Sequence, residues 1–405
     1  MPEDRGSSGA AQPFATEAGA ADAHLPPGPP PGPWRTFDRL VAAAFALALV
    51  VPGIMLALRV HVAQIENRPL RPFPALTIGG LADTSWPAGV DGFLADHLAA
   101  RPYAIRIRGE MYWLSGGTGN PNVIRGLDNW LFVREELQPT CRFTPAQQGA
   151  ALEDAVAAFA QQGVEFRFLL VPDKHTVYPD KLKPDNPFGP TCVDTGRADF
   201  DAAIARVGGQ AIDATAALQA ARATPGTGDL YYSQDSHWTP VGASVAIGAL
   251  ARSLGADLWA PEDVVLRGTK RRVMDTPGLL GLRHVEVTPK VVIRPGVEQH
   301  RADVPVPVAV NNARDVFRIT CTGDKPLLPG RTLVIYDSFF GIDTTLVAPY
   351  FADTTWVHVG DMLSHPELIR LLGPFDRVIF ERVARGLYAT GLDTLFAPLL
   401  AQAGG

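Results

Sequence analysis

The strongest constraint on the fold is a set of short, strongly apolar runs, at residues 164–171, 332–336, 354–358 and 377–380. Helical spacing and Ala-rich composition fill residues 150–162, 200–207, 214–223 and 239–254, and 211–213 reads as a further short strand. Strands apolar on both faces need helices on both sides, so the pattern predicts an α/β fold around a parallel sheet. Residues 262–325 break the rhythm with alternating runs such as Val285-Glu286-Val287-Thr288, and are expected as an antiparallel β insertion. Upstream, residues 88–114 have helical spacing, and 123–133 read as a strand, an Asp128-Asn129 turn and a second strand.

Two motifs on this framework carry chemistry. One is Asp235-Ser236-His237-Trp238, followed by Thr239 and Pro240, which suit the N-cap and first turn of the next helix. The other is Asp337-Ser338-Phe339, directly after the apolar run 332–336. Ligand sites in open α/β sheets form at the carboxyl ends of strands, where Ser338 falls. A serine needs a base to become a nucleophile, and a histidine needs a carboxylate to hold its tautomer. Asp235 can fold back on His237 in a turn, giving Asp235, His237 and Ser338 as a triad in that chain order. Asp337 is expected to hold its turn. Each motif alone also fits a simpler role, a surface ion pair or a plain turn.

The chain has 405 residues, 46% hydrophobic and 19% charged, with a net charge of −6 and no basic run suited to nucleic acid. Its three cysteines include no C-x-x-C pair, so no metal site is expected. Cys141 and Cys192 lie in turn-like sequence and would form a disulfide outside the cytoplasm; three reduced, packed cysteines are the alternative. Residues 1–36 have the composition of a disordered tail. Leu40 to Leu58 runs 19 residues without a charge, long enough for a transmembrane anchor over 37–60. A signal peptide and a buried helix are the alternatives. Arg35 and Arg39 precede the run and Arg59, Arg68 and Arg71 follow it, so the charges do not favour an inside amino terminus.

Taken in order, six segments resemble the SGNH-hydrolase-like O-acetyltransferases of exopolysaccharide secretion, in particular the membrane-anchored AlgJ/AlgX type. They are Glu66-Asn67-Arg68, Gly126 to Phe132, Pro172-Asp173-Lys174 with Tyr178-Pro179, Tyr231 to Trp238, Tyr336 to Phe339, and Glu381 with Arg385. Ordinary SGNH hydrolases place the serine block first; this chain has the circularly permuted order of the acetyltransferases. Tyr336 departs from the family, which has glycine there. The resemblance implies an SGNH-hydrolase-like, flavodoxin-like sheet with helices on both faces, a lead-in over 61–135 and the acetyltransferase domain over 136–400. It implies Ser338 as nucleophile, His237 and Asp235 as the acid–base pair, and Lys174, Tyr232, Trp238 and Arg385 near the substrate. It implies no cofactor, a polysaccharide acceptor, a multi-spanning membrane acyltransferase as acetyl donor, and a single-pass inner-membrane protein with a periplasmic catalytic domain. A carbohydrate esterase or deacetylase, or a non-catalytic polysaccharide-assembly subunit, would show the same residues. Asn311 and Asn312 are candidates for the second oxyanion donor.

Overall fold

A computed structural model describes residues 33–58, 70–75, 85–98, 101–185, 188, 191–192, 195–308, 310 and 316–403. Residues 1–32 of the expected tail, Glu66-Asn67-Arg68 and Asn311-Asn312 lie outside the described residues. The chain divides into two compact units, Met1–His61 with His97–Ala99, and Val62–Asp96 with Ala100–Gly405.

In the first unit, Pro33–Ala57 is a helix with Phe37, Leu40, Val41, Phe45, Leu47 and Ile54 exposed. No helix among the described residues is long and apolar enough to cross a membrane.

In the second unit the strands are β1 (Val123–Arg125), β2 (Leu131–Val133), β3 (Glu165–Val171), β4 (Ala211–Asp213), β5 (Val264–Val273), β6 (Val285–Ile293), β7 (Glu298–Asp303), β8 (Phe317–Thr322), β9 (Leu328–Tyr336), β10 (Phe351–His358) and β11 (Arg377–Val383). Seven form the central sheet, in the order β4-β3-β11-β9-β10-β8-β7. From β4 to β10 the pairs are parallel; β8 joins β10 and β7 joins β8 antiparallel. The expected parallel sheet is therefore mixed. The reason lies in the burial of β8, where Phe317, Ile319 and Cys321 are buried and Arg318 between them is exposed. A strand wetted on one face suits the antiparallel side of a mixed sheet, whereas the fully buried 332–336 stretch suits its parallel middle. Residues 262–325 thus divide between a separate β5–β6 ribbon and the two antiparallel strands, β8 and the edge strand β7, that close one side of the main sheet.

Alternate residues of each central strand enter different cores, as the two-residue period requires. Val334 and Tyr336 of β9 pack with Leu169, Ile379 and the helices Thr215–Ala223 and Pro240–Leu254. Leu333 and Ile335 pack with Phe168, Phe380 and the helices Pro145–Gln161, Arg197–Val207 and Leu392–Ala403. Helices therefore cover both faces, as expected. The β1–β2 hairpin turns through Asp128 and Asn129, at φ 51° and 62°, a left-handed region that these two residue types tolerate.

Cys141 and Cys192 form a disulfide, with Cα atoms 6.0 Å apart and a sequence separation of 51. Constraint of the unfolded chain by a loop of that length contributes about 4 kcal/mol in the chain-entropy view. Thermal unfolding of the Cys141→Ser, Cys192→Ser double variant should show a clearly lowered midpoint. An unchanged midpoint would mean that the bridge adds no stability.

Candidate active site

The apolar run of β9 ends at Tyr336, and the chain turns at once into the short helix Ser338–Gly341. Asp337 makes that turn. Its Oδ1 accepts from the Phe339 amide at 2.9 Å and its Oδ2 from the Val383 amide at 2.8 Å, while its own amide donates to Glu381 Oε2 at 2.9 Å. The carboxyl ends of β9 and β11 are thereby tied together, the structural role expected for Asp337. Burial, then the neighbouring Asp337 charge, raises the Glu381 carboxyl well above its usual range. Ser338 is left exposed at the rim of the sheet. Tyr336, in place of the family glycine, sends its ring against Phe317, Trp356 and His358.

The histidine comes from a tight loop closed by a bridge between Tyr231 and Trp238. Thr239 caps the next helix by accepting from the Gly242 amide at 3.2 Å, with Pro240 in the first turn. Gly242 is required there, because a Cβ would collide with the Leu230 carbonyl. Inside the loop Asp235 folds back as expected: its Oδ1 lies 2.6 Å from His237 Nδ1 and accepts from the His237 amide at 3.1 Å. Burial opposes protonation of His237, but the bonds to Asp235 and then Asp275 outweigh it and raise its pKa above the ordinary value. His237 Nε2 is buried without a hydrogen-bond partner.

Phe339 brings the two motifs together. Its ring lies 5.0 Å from the His237 ring and 5.2 Å from Trp238, so the residue after the serine packs on the histidine. Among the described residues no hydrogen bond joins Ser338 to His237; such contacts commonly tighten only with substrate bound. Ser236 is not a rival nucleophile, since its hydroxyl faces Nδ1, on the side that Asp235 occupies.

The four residues expected near the substrate divide in role. Lys174 is fully buried, and its ammonium donates to the carbonyls of Leu131, Tyr232, Ser233 and Asp235, leaving no free face for a ligand. Trp238 is fully buried and Tyr232 nearly so, the latter with its hydroxyl 3.4 Å from Thr288 Oγ1. All three are buried and pack in or under the histidine loop. Arg385 reaches a cleft. Burial opposes its charge, but Asp173, which accepts from its guanidinium and from its amide at 2.8 Å, holds it firmly cationic. Its guanidinium lies 5.4 Å over the Phe339 ring. The cleft, of about 550 Å³, is lined by Asn122, Arg134, Gln138, Thr140, Ser236 and Arg385 among others. It therefore opens beside neighbours of both His237 and Ser338.

The β5–β6 ribbon supplies partners that the motifs did not reveal. Arg272 donates to Asp235 Oδ2 at 3.1 Å. Glu286 accepts from the Ser233 hydroxyl at 2.9 Å and the Gln234 amide at 2.7 Å. Asp275, just beyond β5, approaches His237 Nδ1 at 3.3 Å. The only sequence signal was the alternation that marks Arg272 and Glu286 as strand. Donor atoms of Asp235, His237 and Asp275 lie within 4.8 Å of one another, close enough to share a cation. Each of the four carboxylate oxygens already accepts from a protein donor, which leaves a cation poorly served.

Residues 123–314 match the family described as the SGNH hydrolase-like domain of the acetyltransferase AlgX. The chain is 30% identical over 140 residues to the probable alginate O-acetylase AlgJ of Azotobacter vinelandii, covering 34% of this chain and 35% of that protein. It is 34% identical over 140 residues to the protein of the same description from Pseudomonas syringae pv. tomato, covering 34% of each. The chain thus spans about a third of the length of the curated relatives it matches. The O-acetyltransferase domain of Pseudomonas putida AlgJ superposes with a TM-score of 0.43 at 18% identity, covering 70% of this chain and 99% of that one. Through residues 123–314 the chain is thus similar to proteins of the AlgJ/AlgX type.

Proposed function

We propose that this protein is an O-acetyltransferase that acylates hydroxyls of a secreted polysaccharide through an acetyl-serine at Ser338. The observation that carries the reading is the state of His237: Asp235 holds Nδ1 at 2.6 Å, while Nε2 has no protein partner and the ring packs beside the residue that follows Ser338. That is how a general base waits for a hydroxyl.

In the proposed reaction Ser338 Oγ attacks the acetyl carbonyl and its proton passes to His237 Nε2. The Ser338 amide, at the head of a helical turn, faces no intrahelical acceptor and serves the oxyanion. Collapse expels the donor's leaving group, which takes the proton from Nε2. A sugar hydroxyl enters from the cleft beside Ser236 and Arg385, gives its proton to Nε2 and attacks the acyl carbon. The O-acetyl sugar leaves, and Ser338 recovers its proton. Alginate is the acceptor named for the relatives; another exopolysaccharide fits the same chemistry. Exposed Arg267 and Arg271, on the ribbon that supplies Arg272, favour an acidic polymer.

The same proposal places the protein at the bacterial inner membrane with its catalytic domain in the periplasm. The uncharged run from Leu40 to Leu58, the exposed apolar side chains of Pro33–Ala57 and the Cys141–Cys192 bridge support it. Acetyl-coenzyme A is not available there, so a multi-spanning membrane acyltransferase would hand over the acetyl group.

Turnover of a chromogenic acetyl ester, with and without an acidic oligosaccharide, tests the reading. The expected result is chromophore release with acetyl groups recovered on the sugar. Hydrolysis that no acceptor diverts would identify an esterase instead.

A further inference from the structure

We propose that Asp275 is a second carboxylate serving His237, a positioning residue that shares with Asp235 the holding of the imidazole and the stabilisation of its protonated form. The inference rests on the reading of Asp235, His237 and Ser338 as a nucleophilic triad.

Asp275 opens a one-turn helix, Asp275–Gly278, after β5. It grips the histidine loop at several points. Its amide donates to Asp235 Oδ2 at 3.2 Å, its Oδ1 accepts from the Ser236 amide at 2.9 Å, and its Oδ2 accepts from the Ser236 hydroxyl at 2.6 Å. Its Oδ2 also lies 3.3 Å from His237 Nδ1. Thr276 Oγ1 donates to the remaining side of Oδ1 at 2.8 Å, which fixes the carboxylate plane.

Charge distribution gives this contact its weight. Asp235 is shared between His237 and Arg272, whose guanidinium takes its second oxygen, so part of its charge is already offset. Asp275 forms an ion pair only with His237 among the described residues; its other partners are neutral. When a proton from Ser338 reaches Nε2, Asp275 is the carboxylate at Nδ1 not already paired to an arginine. Its own pKa is depressed, where burial alone would raise it, because of the bonds to His237 and Ser236. The other charged groups acting on this site are Lys174 beneath the loop, Glu286 on β6, and Asp343 after the serine turn, itself paired with Lys270 of β5 at 3.6 Å.

The test combines the pH dependence of kcat/KM for the chromogenic ester with an NMR titration of the His237 imidazole, in the full chain. Asp275→Asn keeps the shape and removes the charge. The imidazolium then loses a stabilising partner, its pKa falls, and the neutral base persists to lower pH. The acid limb and the imidazole titration should both move down by about one unit, and the plateau rate should drop about tenfold. Asp275→Glu, which keeps the charge, should return both toward the parent values. Should the asparagine variant fail to fold, Asp275→Ser provides the same comparison. A rate loss with the imidazole titration unmoved would reduce Asp275 to a wall of the loop and overturn the proposal. Inactivation by a chelator, reversed by a divalent cation, would also overturn it, by making the cluster a metal site. Full activity in Ser338→Ala would sink the triad reading itself, an outcome separate from the titration.

Discussion

Ser338→Ala should abolish acetyl transfer, with a loss of at least about 10⁴-fold, and leave the fold intact. The hydroxyl sits at the exposed rim and none of the hydrogen bonds among the described residues uses it, so its removal breaks no packing. The unfolding midpoint should therefore stay at the parent value while activity disappears. Intact-protein mass spectrometry after a rapid quench should show one acetyl group on the parent protein and none on the variant. His237→Ala should abolish transfer similarly, because a serine hydroxyl without its base is a weak nucleophile. If both variants acetylate as the parent does, the protein is a non-catalytic assembly subunit and the nucleophilic reading fails.

Lys174→Met should lower stability by about 3 kcal/mol, and should lower kcat as well. The Lys174 ammonium is fully buried under the histidine loop and donates to the carbonyls of Leu131, Tyr232, Ser233 and Asp235. Burial lowers its pKa, against the pull of Glu136 and then Asp275 and Asp235. Methionine fills the space but offers no donor, so those carbonyls lose a partner in a site closed to water. The loop that carries Asp235 and His237 then loosens, which links the stability loss to catalysis. Urea unfolding and ester turnover measured on the same preparation would check both effects. A methionine variant of parent stability would mean that the loop is held by other contacts. If its stability fell but its imidazole titration and kcat held, the lysine would matter to the fold alone.

Much of the architecture was legible in residue order because it depends on local period. The two-sided apolar runs at 164–171, 332–336, 354–358 and 377–380 became β3, β9, β10 and β11, the buried middle of the sheet. Thr239 and Pro240 marked a helix start, and Asp128-Asn129 a turn, because capping and left-handed backbone are properties of single residues. The Asp235–His237 contact was equally legible, since two residues apart in a turn they meet without help from the rest of the fold. Local period misjudged the sheet edge, where β7 and β8 pair antiparallel through a long-range register that alternation alone does not choose.

Tertiary structure decided which polar side chains serve the site. Lys174 looked like a ligand-facing cation by position in a motif, yet the fold buries it as a strut, because four converging carbonyls need a cationic donor. Arg272, Asp275 and Glu286 lie 37, 40 and 53 residues from their partners in the loop, and no sequence period relates such separations. Chain order thus determined the α/β class, the helix caps, the turn chemistry and the Asp-x-His pair, all set by interactions within a few residues. The packing of the β5–β6 ribbon on the histidine loop determined the charge around His237, because electrostatics act through space and only the folded chain sets those distances.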